Sequence, residues 1–186
     1  MTANVTTGNR RTALTLAVFA VGSAVAIALG VYGKTHDPTF QPISTFGFPT
    51  MIAMKVGLGS VTAALALFQL GSALRLFGKL GSGQPPRWLG KAHRASGGLA
   101  VLVSLPVAYH CLWSLGFQTT DTRVLVHSVV GCAFYGAFVA KVLSLHARRL
   151  PGWTLPVLGG LTFAAIVTVW LTSAFWYFTS GSGGAY

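Results

Sequence analysis

Residues 93–110, HRASGGLAVLVSLPVAYH, and residues 127–146, HSVVGCAFYGAFVAKVLSLH, are two mostly apolar stretches with a histidine at each end. A helix needs about 20 predominantly apolar residues to cross a bilayer. Both stretches, with their apolar flanks, reach that length, and the segment between them is short. They predict two antiparallel membrane helices that carry four of the five histidines of the chain.

The rest of the composition is also that of a membrane protein. Of the 186 residues, 53% are hydrophobic and 8% are charged, whereas soluble domains carry about a quarter charged residues. The acidic residues are Asp37 and Asp121 alone, and the net charge is +11. Because the basic residues lie at the edges of apolar runs, they indicate contact with lipid head groups, and no nucleic-acid partner is expected.

Five apolar stretches are long enough to span the bilayer. We therefore predict an all-α integral membrane protein with five transmembrane helices in a single domain, residues 1–186, and a flexible tail at 179–186. The apolar run of the first span is longer than that of a signal peptide, which favours an uncleaved helix. The predicted spans cover about 11–33, 50–78, 91–117, 123–149 and 154–178.

The distribution of lysine and arginine predicts the orientation. Nine basic residues flank the spans on one side: Arg10, Arg11, Arg75, Lys79, Arg87, Lys91, Arg94, Arg148 and Arg149. Lys34 and Arg123 lie on the other side. Because cytoplasmic flanks carry the excess of positive charge, the N-terminus is predicted in the cytoplasm and the C-terminus outside, in a multi-pass protein of the inner (cytoplasmic) membrane.

With this orientation, the four histidines form two pairs. His93 and His146 lie at the cytoplasmic ends of spans three and four, and His110 and His127 lie in the outer half. At about 100° per residue, the inner-to-outer offset is about 100° on both helices, so each pair can converge. Two facing imidazoles per pair are the axial ligands of a bis-histidine haem b.

Other residues fit the same interpretation. Gly97 and Gly131 each follow a histidine by one helical turn and leave room for a porphyrin. Arg94 and Arg149 are candidates to bind inner propionates, and Arg123 or Lys55 outer ones. The pairs are about 25–28 Å apart along the helices, so two haems are predicted, with a single haem as the alternative.

Spans three and four resemble the membrane b-type cytochromes, a class that includes cytochrome b561-like, ferric-reductase-like and diheme cytochrome b proteins. The resemblance implies a haem b electron-transfer protein, with iron held by His93/His146 and His110/His127. Because the sequence shows no nicotinamide or flavin fold, we expect the protein to exchange electrons with quinone, or with an iron–sulfur, flavin or cytochrome partner, as a subunit of an oxidoreductase or larger complex. Eukaryotic b561 proteins spread four ligands over four helices, whereas here two helices carry two each.

Two other functions remain open. A small proton- or solute-coupled transporter also places ionisable residues at membrane depth, although no carboxylate lies within a predicted span here. In a non-haem structural or assembly subunit the histidines have only structural contacts. His36, in a loop interpreted as an ordered cap, is either a loop residue or part of a quinol or donor site. Cys111 and Cys132 are interpreted as small buried core residues.

Overall fold

The computed structural model describes residues 2–147 and 150–180, with side chains from residue 10 onward. Helices joined by loops make up the described ranges. The α-helices are α1 (Thr2–Thr35), α2 (Met51–Leu76), α3 (Leu89–Tyr109), α4 (Thr122–His146), α5 (Thr154–Trp170) and α6 (Trp176–Thr179). Two π-helical segments, His110–Leu115 and Leu171–Phe175, continue α3 and α5.

Five helical stretches are long and apolar enough to cross a membrane, as the sequence predicts. They are Arg10–Thr35, Met51–Leu76, Leu89–Leu115, Thr122–His146 and Thr154–Thr179, and their ends lie within a few residues of the predicted ones. The fourth ends earlier than predicted, because Ala147 leaves the helical conformation. Residues 181–186 of the predicted tail lie outside the described residues, and the orientation stays a prediction.

Polar caps set the start of two spanning helices. The Thr50 side chain accepts a hydrogen bond from the backbone N–H of Ala53 at the start of α2. Asp121 accepts one from Val124 at the start of α4. Each cap satisfies one of the four N–H groups that a helix leaves unpaired at its N-terminus.

The packing order of the helices differs from their order in the chain. The closely packed pairs are α1 with α4, α4 with α5, α5 with α2, and α2 with α3. The consecutive helices α3 and α4 are not among the closely packed pairs. The sequence predicts these two helices side by side; in the structure they face each other across a gap.

Small residues and polar side chains tie the packed pairs together. A Cβ atom on Gly136 would clash with the carbonyl oxygen of Gly22, so these glycines bring the backbones of α1 and α4 into contact. The Gln69 side chain of α2 donates to Ser96 of α3 at 2.7 Å. The indole N–H of Trp170 in α5 donates to Ser60 of α2 at 3.1 Å. These contacts position α3 and α4 through their neighbours.

The loop between α1 and α2 is an ordered cap over the outer end of α3. The backbone N–H of Phe40 donates to the carbonyl of Ser114 at 2.8 Å. The Ser114 hydroxyl donates to the carbonyl of Gln41 at 2.8 Å. The ring of His36 stacks on Trp113 with centroids 4.3 Å apart. These contacts with the loop therefore hold the π-helical segment His110–Leu115 in place.

Candidate functional site

A hydrogen bond joins α3 to α4 midway along their lengths. The Tyr135 hydroxyl lies 2.9 Å from the hydroxyl and 3.1 Å from the carbonyl oxygen of Ser104. The Ser104 hydroxyl itself donates to the carbonyl of Val101, so Tyr135 is the donor to Ser104. This Ser104–Tyr135 bridge divides the gap into two halves, which we name inner and outer after the predicted orientation.

In the inner half, His93 and His146 have matching positions. His93 precedes Ser104 by eleven residues, and His146 follows Tyr135 by eleven. Eleven residues turn a helix by three full turns plus about 20° and advance it by about 16 Å. The two antiparallel helices therefore carry these histidines at one depth, on the sides that face the gap.

The contacts of these two rings differ. The half-buried ring of His93 places Nδ1 2.7 Å from the Ser72 hydroxyl, and the charge of Lys141 on α4 is close enough to act on it. His146 is exposed, and its Nδ1 lies 3.0 Å from the carbonyl of Val142. Within the described part of the chain, no hydrogen bond or ring contact joins His93 to His146.

The predicted partners of an inner propionate are only partly described. Arg94 is exposed and close enough to His93 for its charge to act on the ring. Arg149 lies outside the described residues. Lys141, which the sequence places between the two histidines of α4, contributes a second positive charge near His93.

The outer half is a cavity of about 360 Å³, enclosed mainly by α2, α3, α4 and α5. We call it the central cavity or, in contrast to the inner half of the gap, the outer cavity. Most of its surface is apolar. His127 lies in its wall, and the Nδ1 atom of that histidine is 3.1 Å from the hydroxyl of Thr172. The polar and charged side chains of the lining include Lys55, Cys111, Gln118, Arg123, His127 and Tyr135.

Arg123 is fixed at the outer end of this cavity. Its guanidinium donates to the carbonyl of Thr172 at 2.8 Å and lies 3.9 Å from the ring centroid of Trp176. Asp121 is 3.8 Å away. Lys55 lines the same cavity from α2. Both cations that the sequence predicts beside an outer propionate thus lie in the cavity with His127.

The structure does not bring His110 into this cavity. His110 lines a separate groove between the outer loop and the outer face of α3, together with Phe46 and Leu105. Its Nδ1 lies 2.7 Å from the carbonyl of Pro106, the residue is only 2% exposed, and its Nε2 has no hydrogen-bond partner among the described residues. His110 follows Ser104 by six residues, so it lies about 120° around the helix axis from the side that faces the gap.

The residue of α3 that faces His127 is Cys111. Cys111 follows Ser104 by seven residues, which is about 20° short of two turns, and it lines the central cavity. His127 and Lys55 line the same cavity as Cys111. The sequence contains a signal for this placement, because Cys111 follows His93 by eighteen residues, which is five full helical turns.

All four histidines of α3 and α4 share one hydrogen-bonding pattern. His110 and His146 place Nδ1 against a carbonyl, which can only accept, so Nδ1 carries the proton. The hydroxyls of Ser72 and Thr172 donate to backbone carbonyls and thus accept from the Nδ1–H of His93 and His127. In the neutral ring, each Nε2 then keeps its lone pair for a ligand or metal.

The two predicted glycines differ in their surroundings. A Cβ atom on Gly131 would meet nothing within 4 Å, and Gly131 lines the central cavity beside His127. A Cβ atom on Gly97 would lie 3.0 Å from the side-chain oxygen of Gln69. Gly131 therefore leaves open space, whereas Gly97 makes room for the side chain that ties α2 to α3.

His36 belongs to an aromatic stack at the outer surface. Its ring lies between Tyr32 and Trp113, with centroids 5.3 and 4.3 Å away, and Trp113 stacks on Tyr109. Its Nε2 is buried, and no residue in the described part of the chain gives it a hydrogen-bond partner. In the described ranges, no group of three or more His, Cys, Asp or Glu side chains could hold a metal ion by itself.

The chain belongs to a family described as a family of unknown function, DUF6529, whose model matches residues 14–183. No curated protein and no solved structure matches the chain.

Proposed function

We propose that this protein is a haem b electron-transfer protein of the membrane. It would pass electrons across the bilayer and exchange them with quinone or with a redox partner protein. The observation that carries the proposal is the shared state of the four histidines. In each of them Nδ1 is held by an acceptor and Nε2 keeps its lone pair. Histidines that bind metal are oriented in this way, because the second nitrogen fixes the tautomer and the ring plane.

The residues around the gap fit the group. His93 and His146, at one depth on facing sides, would hold an inner haem, with Arg94 and Lys141 as positive charges nearby. His110, the second outer ligand that the sequence predicts, lies in the separate groove beside Phe46. His127 would hold an outer haem in the central cavity. Lys55 and Arg123 are placed to neutralise its propionates. When bound, the haem supplies one-electron reduction and oxidation.

The chain itself contributes orientation and exclusion of water. Ser72 and Thr172 hold the rings of His93 and His127 through Nδ1. The apolar wall of the outer cavity keeps water away, which together with axial ligation sets the potential of a bound haem. The Ser104–Tyr135 bridge keeps the two halves of the gap separate while holding α3 and α4 at a fixed distance.

The wider context is part of the same proposal. The protein would lie in the inner membrane with its N-terminus in the cytoplasm, as the basic flanks predict. It would exchange electrons with quinone or with an iron–sulfur, flavin or cytochrome protein, because a haem protein without a nicotinamide or flavin fold depends on such a partner. It would act as a subunit of an oxidoreductase.

The test is a count of haem per polypeptide by pyridine haemochrome assay, on protein purified from haem-replete cells. We expect two haems in the wild type, and one each in His93→Ala and His127→Ala. The matched control is His36→Ala, which removes a histidine outside the gap and should keep both haems. One haem in the wild type, lost only in His93→Ala, would restrict the proposal to the inner pair. A colourless wild type would contradict it and favour a transporter or an assembly subunit.

A further inference from the structure

We infer that Cys111, and not His110, is the residue of α3 that ligates the outer haem opposite His127. The inference deepens the proposed function and rests on it, since it assigns one ligand of a haem that the proposal places in the central cavity. It differs from the prediction made from the histidine pattern alone, in which His110 is that ligand.

The first argument is position. Cys111 and His127 both line the central cavity. Measured from the Ser104–Tyr135 bridge, they lie seven and eight residues toward the outer end of their helices, which is about 10–12 Å along the axis. The two side chains therefore meet at one depth from opposite walls. Because Nδ1 of His127 is held by Thr172, Nε2 is the nitrogen left to bind a ligand in the cavity.

The second argument is the position of His110. Its ring is packed against Tyr109, with centroids 5.7 Å apart, and lies in the groove under Phe46. To reach the central cavity, it would have to break its 2.7 Å bond with the carbonyl of Pro106 and rotate by about 120° around α3. The loop between α1 and α2, which is hydrogen-bonded to Ser114, covers the π-helical segment that contains His110.

The third argument is charge. A thiolate ligand is an anion and needs compensation in an apolar cavity. Lys55 lines the same cavity as Cys111, and no acidic residue is among those that line it. An iron–sulfur bond would form as the thiol loses its proton to the outer aqueous phase, with no change in the oxidation state of the iron. Thiolate ligation of haem iron is an established mode.

The test uses the full-length, haem-loaded protein and the electron paramagnetic resonance spectrum of the ferric form. We expect two low-spin species in the wild type: one bis-imidazole, and one with the narrow spread of g values that thiolate ligation gives. Cys111→Ser should lose the second species and turn the outer haem high-spin. Cys111→His should replace it with a second bis-imidazole species. His110→Ala should keep both original species.

The matched control is Cys132→Ser, since Cys132 is the other thiol that lines the same cavity. This variant should keep both species. Two bis-imidazole species in the wild type, with one lost in His110→Ala and none in Cys111→Ser, would overturn the inference and leave the proposed function intact. Absence of haem from the wild type would overturn both. If Cys111→Ser does not fold, Cys111→His still tests the inference. A spectrum of Cys111→His that is unchanged from the wild type would contradict thiolate ligation.

Discussion

The hydroxyl of Tyr135 lies 2.9 Å from the hydroxyl of Ser104, and this contact is the reference point for the whole site. Eleven residues inward from it lie His93 and His146, one on each helix. Seven and eight residues outward lie Cys111 and His127. The bridge thus has one pair of potential ligands on each side, on two helices that are otherwise held apart by their neighbours.

Removing the bridge should weaken the bundle without unfolding it. Tyr135→Phe deletes the hydroxyl that donates to Ser104. We expect the free energy of unfolding to fall by about 1 kcal/mol, which is typical of one side-chain hydrogen bond in a protein or membrane bundle. The measurement is reversible unfolding in mixed micelles. Tyr109→Phe is the control, because the recorded contacts of Tyr109 are made by its ring, which phenylalanine keeps. An equal loss of stability in this variant would show that the bridge itself has no effect.

The hydroxyls that orient the histidines should affect haem binding separately. Ser72→Ala removes the acceptor of His93, and Thr172→Val removes that of His127. Loss of such an orienting group typically costs about 10–100-fold in metal affinity. We expect the first variant to lose inner haem and the second to lose outer haem, measured as haem retained after competition with apomyoglobin. Ser60→Ala, which removes the acceptor of Trp170 and leaves the histidines untouched, should retain both; loss of haem in that variant would show a general packing effect.

The close approach of α1 and α4 should not tolerate a side chain. In Gly136→Leu, the new Cβ atom would overlap the backbone of Gly22. We expect α1 to separate from α4 and the yield of folded protein in detergent to fall strongly. Gly160→Leu is the matched control on α5, where an added Cβ meets nothing within 4 Å. If both variants gave the same monodisperse yield by size-exclusion chromatography, the α1–α4 contact would not be the stabilising one.

The loop between α2 and α3 should depend on Arg75. The guanidinium of Arg75 donates to the carbonyls of Leu80, Ser82, Gly83 and Gln84. Arg75→Met removes these bonds, so we expect protease to cleave this loop several-fold faster, as an exposed segment does once it loses its hydrogen bonds. Lys79→Met is the control for loss of charge.

The same cleavage tests the orientation. With the N-terminus in the cytoplasm, the loop between α2 and α3 faces inward. Inside-out vesicles should therefore be cleaved by added protease, and right-side-out vesicles should be protected. The opposite result would reverse the orientation that the basic flanks predict.

Hydropathy was enough to predict the five spans, because length and apolar content alone decide whether a helix can cross a bilayer. It could not predict that α3 and α4 stand apart, since their separation depends on contacts such as Gly22 with Gly136 that join residues far apart in the chain. The structure places His127 in the wall of the outer cavity and His110 in a separate groove, and haem binding by the four histidines stays a prediction. The histidine pattern failed to identify Cys111, because a search for repeated histidines passes over a neighbouring residue of another type.

The two π-helical segments have a consequence for how this bundle can change. His110–Leu115 and Leu171–Phe175 lie at the outer ends of α3 and α5, and both contribute residues to the wall of the outer cavity. A π-helical turn holds one more residue than an α-helical turn. Deleting one residue from either segment would therefore restore a regular α-helix and remove one residue from the wall of the outer cavity, while His93, Ser72 and the rest of the inner half kept their places. Insertions and deletions can thus reshape the outer chamber independently of the inner one.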